Sequence, residues 1–396
     1  MQSVMKHQFS EVPHANIQRS SFDRSHGFKT TFDAGKLIPI LVDEILPGDT
    51  VNLNMTGFAR MATPIFPVMD NAFMDTHFFA VPVRLLWDNW QKFNGEQTDP
   101  GDSIDFTIPT MTSPAGGYAN ESLSDYFGIP TQVAGLEHSS LWHRAYNLIF
   151  NEWYRDQNLQ DSVTTSTSDG PDSPTDYVIQ RRGKRHDYFT SCLPWPQKGD
   201  AVSLPLGESA PIHFDKNSDG NLNVVSENGT LSGVRLISGD IRADYNNPYG
   251  SSPTQLFTDL STATSATINQ LRESFAIQHL LEKTARAGSR YTEIIKGHFG
   301  VTSPDARLQR PEYLGGGSSP IIVTPIEQTS STDTTSPQGN LAAMATSTLN
   351  GHGFTKSFTE HCILIGLVSV RADLTYQQGL DRMFSRSTRY DFFWPS

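Results

Sequence analysis

One stretch of the chain has residue types and spacing that could bind calcium. The sequence DKNSDGN places Asp215, Asn217 and Asp219 at alternate positions, as in the first half of an EF-hand loop. The twelfth position of such a loop is Ser226 here, Glu227 falls one residue late, and no helical pattern flanks the stretch. A polar hairpin turn is therefore the favoured interpretation, and a calcium site is the weaker alternative.

No stretch has the pattern of a catalytic nucleophile or a zinc site. Ser209 lies in GESAP, which ends in proline where a nucleophile elbow needs glycine. His138 and His143 are five residues apart and not four, so each is predicted to be a structural or a surface histidine. The two cysteines, Cys192 and Cys362, form no CxxC pair. These motifs therefore identify no catalytic residue and no cofactor site.

The densest basic run is a candidate for contact with nucleic acid or with another subunit. It contains Arg181, Arg182, Lys184 and Arg185, and two aromatic residues follow shortly after. Basic residues beside aromatic rings can hold single-stranded nucleic acid by charge and stacking. One run in an acidic chain is also compatible with a subunit interface or a solvated loop, and the sequence leaves these alternatives open.

A second basic group lies near the end of the sequence. Arg382, Arg386 and Arg389 are close to Tyr390 and Phe392. The same stacking interpretation applies, and packing of the aromatic residues in the core or anchoring at a subunit contact are the alternatives. Aromatic residues so close to the last residue also suggest that the natural chain continues.

Composition limits the possible functions. The chain has 396 residues and a net charge of -12, which argues against a protein whose whole surface coats nucleic acid. Its longest apolar run is much shorter than the ~20 residues that span a bilayer, so no membrane insertion is predicted. The length fits two or three domains, or one large all-β domain with insertions.

The hydrophobic pattern favours strands interrupted by a few helices. Residues 36–46 resemble an edge or bent strand because Pro39 lies inside the run. Residues 51–61 alternate with period two, and residues 72–83 are apolar on both faces. Further strands are predicted at 321–326 and 362–374, and helices at 139–154, 265–287 and from Ser289 to Gly297. Long-range pairing of such strands favours a Greek-key β-sandwich.

The segment from Ser289 to Gly317 combines a short helix pattern with an arginine- and aromatic-rich loop. Its three glycines, 315–317, lack the GK[ST] of a phosphate-binding loop, and a flexible turn is predicted for them. Because the segment has no nucleophile and base, contact with another molecule is a better interpretation than catalysis.

Several long strings resemble the major capsid protein of the gokushovirus group of microviruses. They are SRYTEIIKGHFGVTSPDARLQRPEYLGGG (289–317), the segments 19–50 and 181–202, and FTEHCILIGLVSVRADLTYQQGLDRMFSRSTRYDFFWP (358–395). The resemblance implies a viral jelly-roll β-sandwich with long loop insertions and a few helices. It implies an arm at 1–30, jelly roll at 31–207 with a helical insertion, a surface insertion at 208–252, and the incomplete rest of the jelly roll at 253–396.

The resemblance also implies partners. Sixty copies, grouped in pentamers, would form an icosahedral shell around a circular single-stranded DNA genome with a small basic DNA-binding protein. The shell would meet a host surface receptor through 208–252, and the protein would occupy the virion, and the host cytoplasm during assembly. Because the family has no catalytic residues, the resemblance also implies a protein that is not an enzyme and has no cofactor. One alternative is a phage or cell-surface receptor-binding β-protein that forms monomers or trimers, and a glycosidase is a more distant one.

Overall fold

The computed structural model describes residues 18–64, 68–187, 190, 193–203, 212–214, 256–258, 267–329, 334, 337–375, 379–392 and 394. The chain divides into two units. The first unit comprises Met1–Arg155, Ser162–Lys184 and Gln309–Ser396, and the second unit comprises Asp156–Asp161 and Arg185–Leu308. The predicted boundaries at 30, 207 and 252 remain predictions, and nearly all of the 208–252 insertion lies outside the described residues.

Most of the regular structure in the first unit is β-strand. Its strands are β1 (Ile38–Ile45), β2 (Thr50–Arg60), β3 (Ala72–Pro82), β4 (Thr110–Thr112), β5 (Glu137–Ser139), β8 (Glu312–Glu327), β9 (Leu341–Ser357) and β10 (Cys362–Ala372). Its helices are α1 (Trp90–Phe93), α2 (Leu123–Tyr126) and α3 (Leu141–Ile149), and α3 continues into a π-helical turn at Phe150–Tyr154. The second unit contains β6 (Ile212–Phe214), β7 (Leu256–Thr258), α4 (Ile268–Ala287) and α5 (Tyr291–Phe299). Short 3-10 turns lie at Val83–Leu85, Pro174–Asp176, Arg382–Phe384 and Arg389–Asp391.

Six strands form one curled antiparallel sheet in the order β1-β10-β3-β8-β9-β2. The first part of β8 pairs with β3, and its last part, from Ile322 onward, pairs with β9. The sheet therefore folds into two layers, with β1, β10 and β3 in one and β9 and β2 in the other. The predicted mainly β sandwich is confirmed, including an edge strand with Pro39 at a register shift in β1.

Strand β3 is buried on both faces, which explains its continuous apolar sequence. Phe78 and Ala80 face the other layer of the sandwich, where they meet Phe354 of β9. Phe79 and Val81 point the opposite way, into a second core that includes most of the buried face of α3. The part of the β3–β8 insertion that belongs to the first unit thus packs on the outer face of the sheet.

The prediction of a flexible turn at 315–317 is wrong, because these glycines lie inside β8. A Cβ atom at Gly316 would collide with the carbonyl oxygen of Thr76 in β3. A Cβ atom at Gly317 would lie 2.5 Å from the ring of His352. The Nδ1 atom of that ring forms a hydrogen bond with Thr76 Oγ1 at 2.7 Å. The glycines are therefore needed for close approach of the strands, which is a packing requirement and not a turn requirement.

The predicted end of the helix that follows Ser289 is also wrong. Helix α5 continues past Gly297 to Phe299 and ends at Gly300, whose φ of 71° is the left-handed cap conformation that favours glycine. Gly297 lies within the helix, and a Cβ there would collide with Ala287 of α4. This glycine allows the two helices of the second unit to pack closely.

Strand β9 was not predicted from the sequence. Its first half, LAAMATSTL, is composed mainly of Ala, Ser and Thr, so its hydrophobic contrast is weak. Ala343, Ala345, Ser347 and Leu349 are nevertheless buried at alternate positions. Period-two alternation of small residues is the signal that was present but too faint to assign.

Candidate assembly and nucleic-acid surfaces

The basic run at 181–185 does not form a single cluster of exposed cations. Arg182 is directed into the sheet, where its Nη1 donates to Asp75 Oδ2 at 2.6 Å and to Ser369 Oγ at 3.2 Å. Arg181 is exposed and forms a β-bridge with Lys36. Lys184 and Arg185 are also exposed, at the boundary where the first unit gives way to the second.

Asp75 of β3 is the centre of a buried charge cluster. It is 3% exposed, and its Oδ2 accepts hydrogen bonds from Arg182 and, at 2.7 Å, from Arg371 Nε of β10. Burial by itself would raise the pKa of Asp75, but hydrogen bonds from Ser318, Arg371 and Arg182 outweigh it and hold the pKa below its usual range. The carboxylate thus stays charged and holds Arg182 against the two central strands β3 and β10.

A second buried ion pair organises the insertion that covers the sheet. Arg144 of α3 makes a two-pronged contact with Asp172, through Nε at 2.7 Å and Nη2 at 2.6 Å. Its Nη1 donates to the carbonyl oxygens of Leu86 and Ser168, and Tyr177 Oη donates to Asp172 Oδ2 at 2.7 Å. Burial would raise the pKa of Asp172, but the hydrogen bond from Arg144 is the largest of those that lower it overall.

Two histidines are kept neutral by their surroundings. Burial, followed by the charge of Arg182, lowers the pKa of His77 to about 4. Burial lowers the pKa of His143 to about 3, and its Nε2 lies 2.9 Å from Ser124 Oγ. His138 hydrogen-bonds to Tyr118 Oη at 2.7 Å. These contacts support the predicted structural roles of His138 and His143.

We expect mild acid to destabilise the first unit through His77 and His143. Their folded-state pKa values lie below the ordinary 6.5, so the stability they contribute is present above that pH and is lost as the pH falls. The loss between pH 7 and 5 should be about 2 kcal/mol per histidine. Urea unfolding measures the decrease in the free energy of unfolding between pH 7 and 5. In the His143→Gln variant this decrease should be smaller than in the wild type by that amount. In the control His26→Gln, which changes an exposed histidine, it should equal the wild-type value. Equal pH dependence in all three proteins would contradict this account.

The calcium candidate cannot be placed, because Asp215, Asn217 and Asp219 lie outside the described residues. Among the residues that are described, no group of three or more His, Cys, Asp or Glu side chains has an arrangement able to hold a metal ion. The helices in the same part of the chain are each too short or too polar to cross a membrane.

The second basic group forms an exposed segment after β10, which we call the aromatic–arginine segment (residues 379–392 and Trp394). Arg386 lies over the ring of Phe392, with 5.1 Å to the ring centre, and Arg389 over Tyr390, at 4.8 Å. Asp391 pairs with Arg382 at 2.9 Å. The described part of this segment therefore presents guanidinium groups beside aromatic faces.

Comparison with known proteins decides the family. A profile described as "Capsid protein (F protein)" matches residues 10–396. The chain belongs to this capsid protein family. A relative named capsid protein VP1, from Bdellovibrio phage phiMH2K, is 52% identical over 98% of this chain and 76% of its own length. Proteins of the same name from Chlamydia phage 1 and Spiroplasma virus 4 are 45% and 37% identical, over 100% and 98% of this chain and 78% and 76% of their own lengths.

These relatives are capsid proteins of gokushovirus-type microviruses, so the resemblance predicted from the sequence is confirmed. The protein is a major capsid protein, a structural component of the virion that assembles into a multi-copy shell and is not an enzyme. Its curled antiparallel sheet agrees with the β-sandwich of a viral capsid fold.

A capsid protein needs surfaces that contact neighbouring copies, and the N-terminal arm is one exposed candidate. Residues 18–30, the described part of the N-terminal arm, form neither helix nor strand, and Phe22 is 80% exposed. Arg24 pairs with Asp43 of β1 at 2.7 Å, and Arg19 Nη1 donates to the carbonyl oxygen of Gly48. The arm is thus attached through polar contacts while its ring remains uncovered.

The segment from Ser289 to Gly317 has two different roles. In the second unit, Tyr291 and Phe299 are 69% and 77% exposed. In the first unit, Arg310 is buried against the Trp153 ring at 4.0 Å, and Trp153 Nε1 donates to the carbonyl oxygen of Pro311. Tyr313 in the strand half is 41% exposed, so the most exposed rings lie in the helical half, which remains the predicted contact surface.

Proposed function

We propose that sixty copies of this capsid protein, grouped in pentamers, assemble into an icosahedral shell around a circular single-stranded DNA genome. The observation that supports this proposal most strongly is the 52% identity with a capsid protein VP1 over 98% of the chain. Identical subunits related by symmetry bury complementary patches, and many weak contacts sum to a stable particle. The N-terminal arm and the helix α5 region are the proposed contact surfaces.

Exposed aromatic residues support this choice of surfaces. Phe22 in the arm and Tyr291 and Phe299 in α5 leave more than two thirds of their surface uncovered in the single chain. Large rings of this kind are enriched at the centres of protein interfaces, where burial contributes most of the binding energy. A shell gives each of these rings a neighbouring copy to pack against.

The charge balance supports a separate partner for the genome. At a net charge of -12 the chain cannot by itself neutralise an enclosed nucleic acid. We therefore propose a small basic DNA-binding protein inside the shell. Assembly would occur in the host cytoplasm, and residues 208–252 would contact a host surface receptor.

Electron microscopy and host-binding assays of two proteins test this proposal. The intact protein should form shells, and a deletion of Ser209–Tyr249 should form the same shells but fail to attach to host cells. Deletion should affect host attachment and not shell assembly, because the insertion is proposed to lie on the outer surface of the shell. Discrete trimers alone, with no pentamers or shells at any ionic strength, would support a receptor-binding protein, and loss of pentamers on deletion would overturn the assignment of the insertion.

A further inference from the structure

The aromatic–arginine segment has the chemistry of a single-strand nucleic-acid contact. Its exposed rings are Phe384 at 68%, Tyr390 at 77%, Phe392 at 52% and Trp394 at 65%. Such exposure is costly for a folded protein unless the rings have a partner, since each leaves a large apolar surface in water.

The local fold keeps these rings on the surface. Asp391 Oδ2 accepts hydrogen bonds from the backbone N–H groups of Ser387 and Thr388, at 3.1 and 2.8 Å, and from Thr388 Oγ1 at 2.9 Å. Trp394 Nε1 donates to the carbonyl oxygen of Arg389 at 2.8 Å. The turn that carries the rings is therefore closed by its own hydrogen bonds.

The three arginines of the segment have different partners. Arg382 is engaged with Asp391, whereas Arg386 and Arg389 lie over Phe392 and Tyr390. A guanidinium within about 5 Å of a ring can contact a phosphate while the exposed ring face stacks on the adjoining base. Paired bases in a duplex are already stacked and do not offer their faces in this way.

We propose that the aromatic–arginine segment binds single-stranded DNA by stacking bases on its rings and pairing phosphates with Arg386 and Arg389. This inference rests on the proposed function, because it names the surface of the capsid protein that contacts the enclosed genome. The other basic run is less suited to this role, since Arg182 is held inside the sheet by Asp75.

Fluorescence anisotropy with a labelled oligothymidylate of about twenty nucleotides tests the proposal. The double variant R386A/R389A should bind more weakly, and the slope of log affinity against log salt should decrease in magnitude by about 1.4, the value for two lost phosphate contacts to a single strand. The control R60A/R307A removes two exposed arginines elsewhere and should keep the wild-type slope. Tyr390→Ala should lose about 5- to 150-fold in affinity. Phe58→Ala, which removes a ring that is 73% exposed on β2, should keep the wild-type affinity.

Sedimentation of the same variants separates this inference from the proposed function. The account expects R386A/R389A to assemble like the wild type while binding the oligonucleotide less well. Unchanged DNA binding with lost assembly would show that the segment is a contact between copies and would overturn the inference, as would equal slopes for the two double variants. A wild-type protein that binds DNA but forms no shell would instead contradict the proposed function.

Discussion

Replacing Arg144 by methionine is expected to lower the free energy of unfolding by about 3–5 kcal/mol. The Arg144 and Asp172 side chains are only 1% and 5% exposed, and the guanidinium supplies two hydrogen bonds to the carboxylate. Methionine fills a similar volume but leaves the carboxylate buried with only weaker neutral donors. Two backbone carbonyl groups, of Leu86 and Ser168, also lose their donor. Urea unfolding followed by tryptophan fluorescence measures the change.

The matched control is Arg24→Met, which removes an arginine from an ion pair on the surface. Arg24 is 65% exposed, and pairs of this kind contribute at most about 1 kcal/mol. The double variant R144M/D172N should be more stable than R144M alone, because it removes the uncompensated buried charge. Equal losses for R144M and R24M would show that the buried pair does not organise the insertion.

Replacing Asp75 by asparagine is the second change for which we expect a large effect, again about 3–5 kcal/mol. The substitution keeps the shape of the side chain but removes the charge that holds Arg182 and Arg371 at 2.6 and 2.7 Å. Both guanidinium groups are less than one fifth exposed, so they cannot recover full hydration without moving. The loss is measured by urea unfolding at neutral pH.

A neighbouring carboxylate provides the control for this second prediction. Asp373 also pairs with Arg371, at 2.9 Å, but its side chain is 47% exposed. Asp373→Asn should therefore cost less than about 1 kcal/mol. A loss for Asp75→Asn as small as that for Asp373→Asn would mean that Arg182 is not anchored in the sheet and is available for contacts outside the chain.

The elements with strong local patterns were predictable from the sequence. Strands β1, β2 and β10 and the apolar face of α3 follow from alternation or helical spacing, and Pro39 correctly indicated an edge strand. Strand β9 was missed because alanine, serine and threonine give little hydrophobic contrast. In that strand the neighbouring elements, and not the residues themselves, determine which positions are buried.

The buried ion pairs were not predictable, because their members are distant in sequence. Arg182 appeared as part of a basic run, and nothing near it indicates that its partner is Asp75. Arg144 and Asp172 are likewise brought together only by packing of the insertion on the sheet. The glycines 315–317 were assigned to a turn because glycine favours both flexible turns and close strand contacts, and only the positions of Thr76 and His352 distinguish the two.

The mass of the particle formed by the purified protein tests the central claim most directly. If sixty copies of the 43.9 kDa chain assemble, charge-detection mass spectrometry should find a species of about 2.6 MDa, and pentamers of about 220 kDa as its building units. Raising the salt concentration should shift the balance between these two species without producing other sizes. A population limited to monomers and trimers under all these conditions would contradict the assignment of a self-assembling shell.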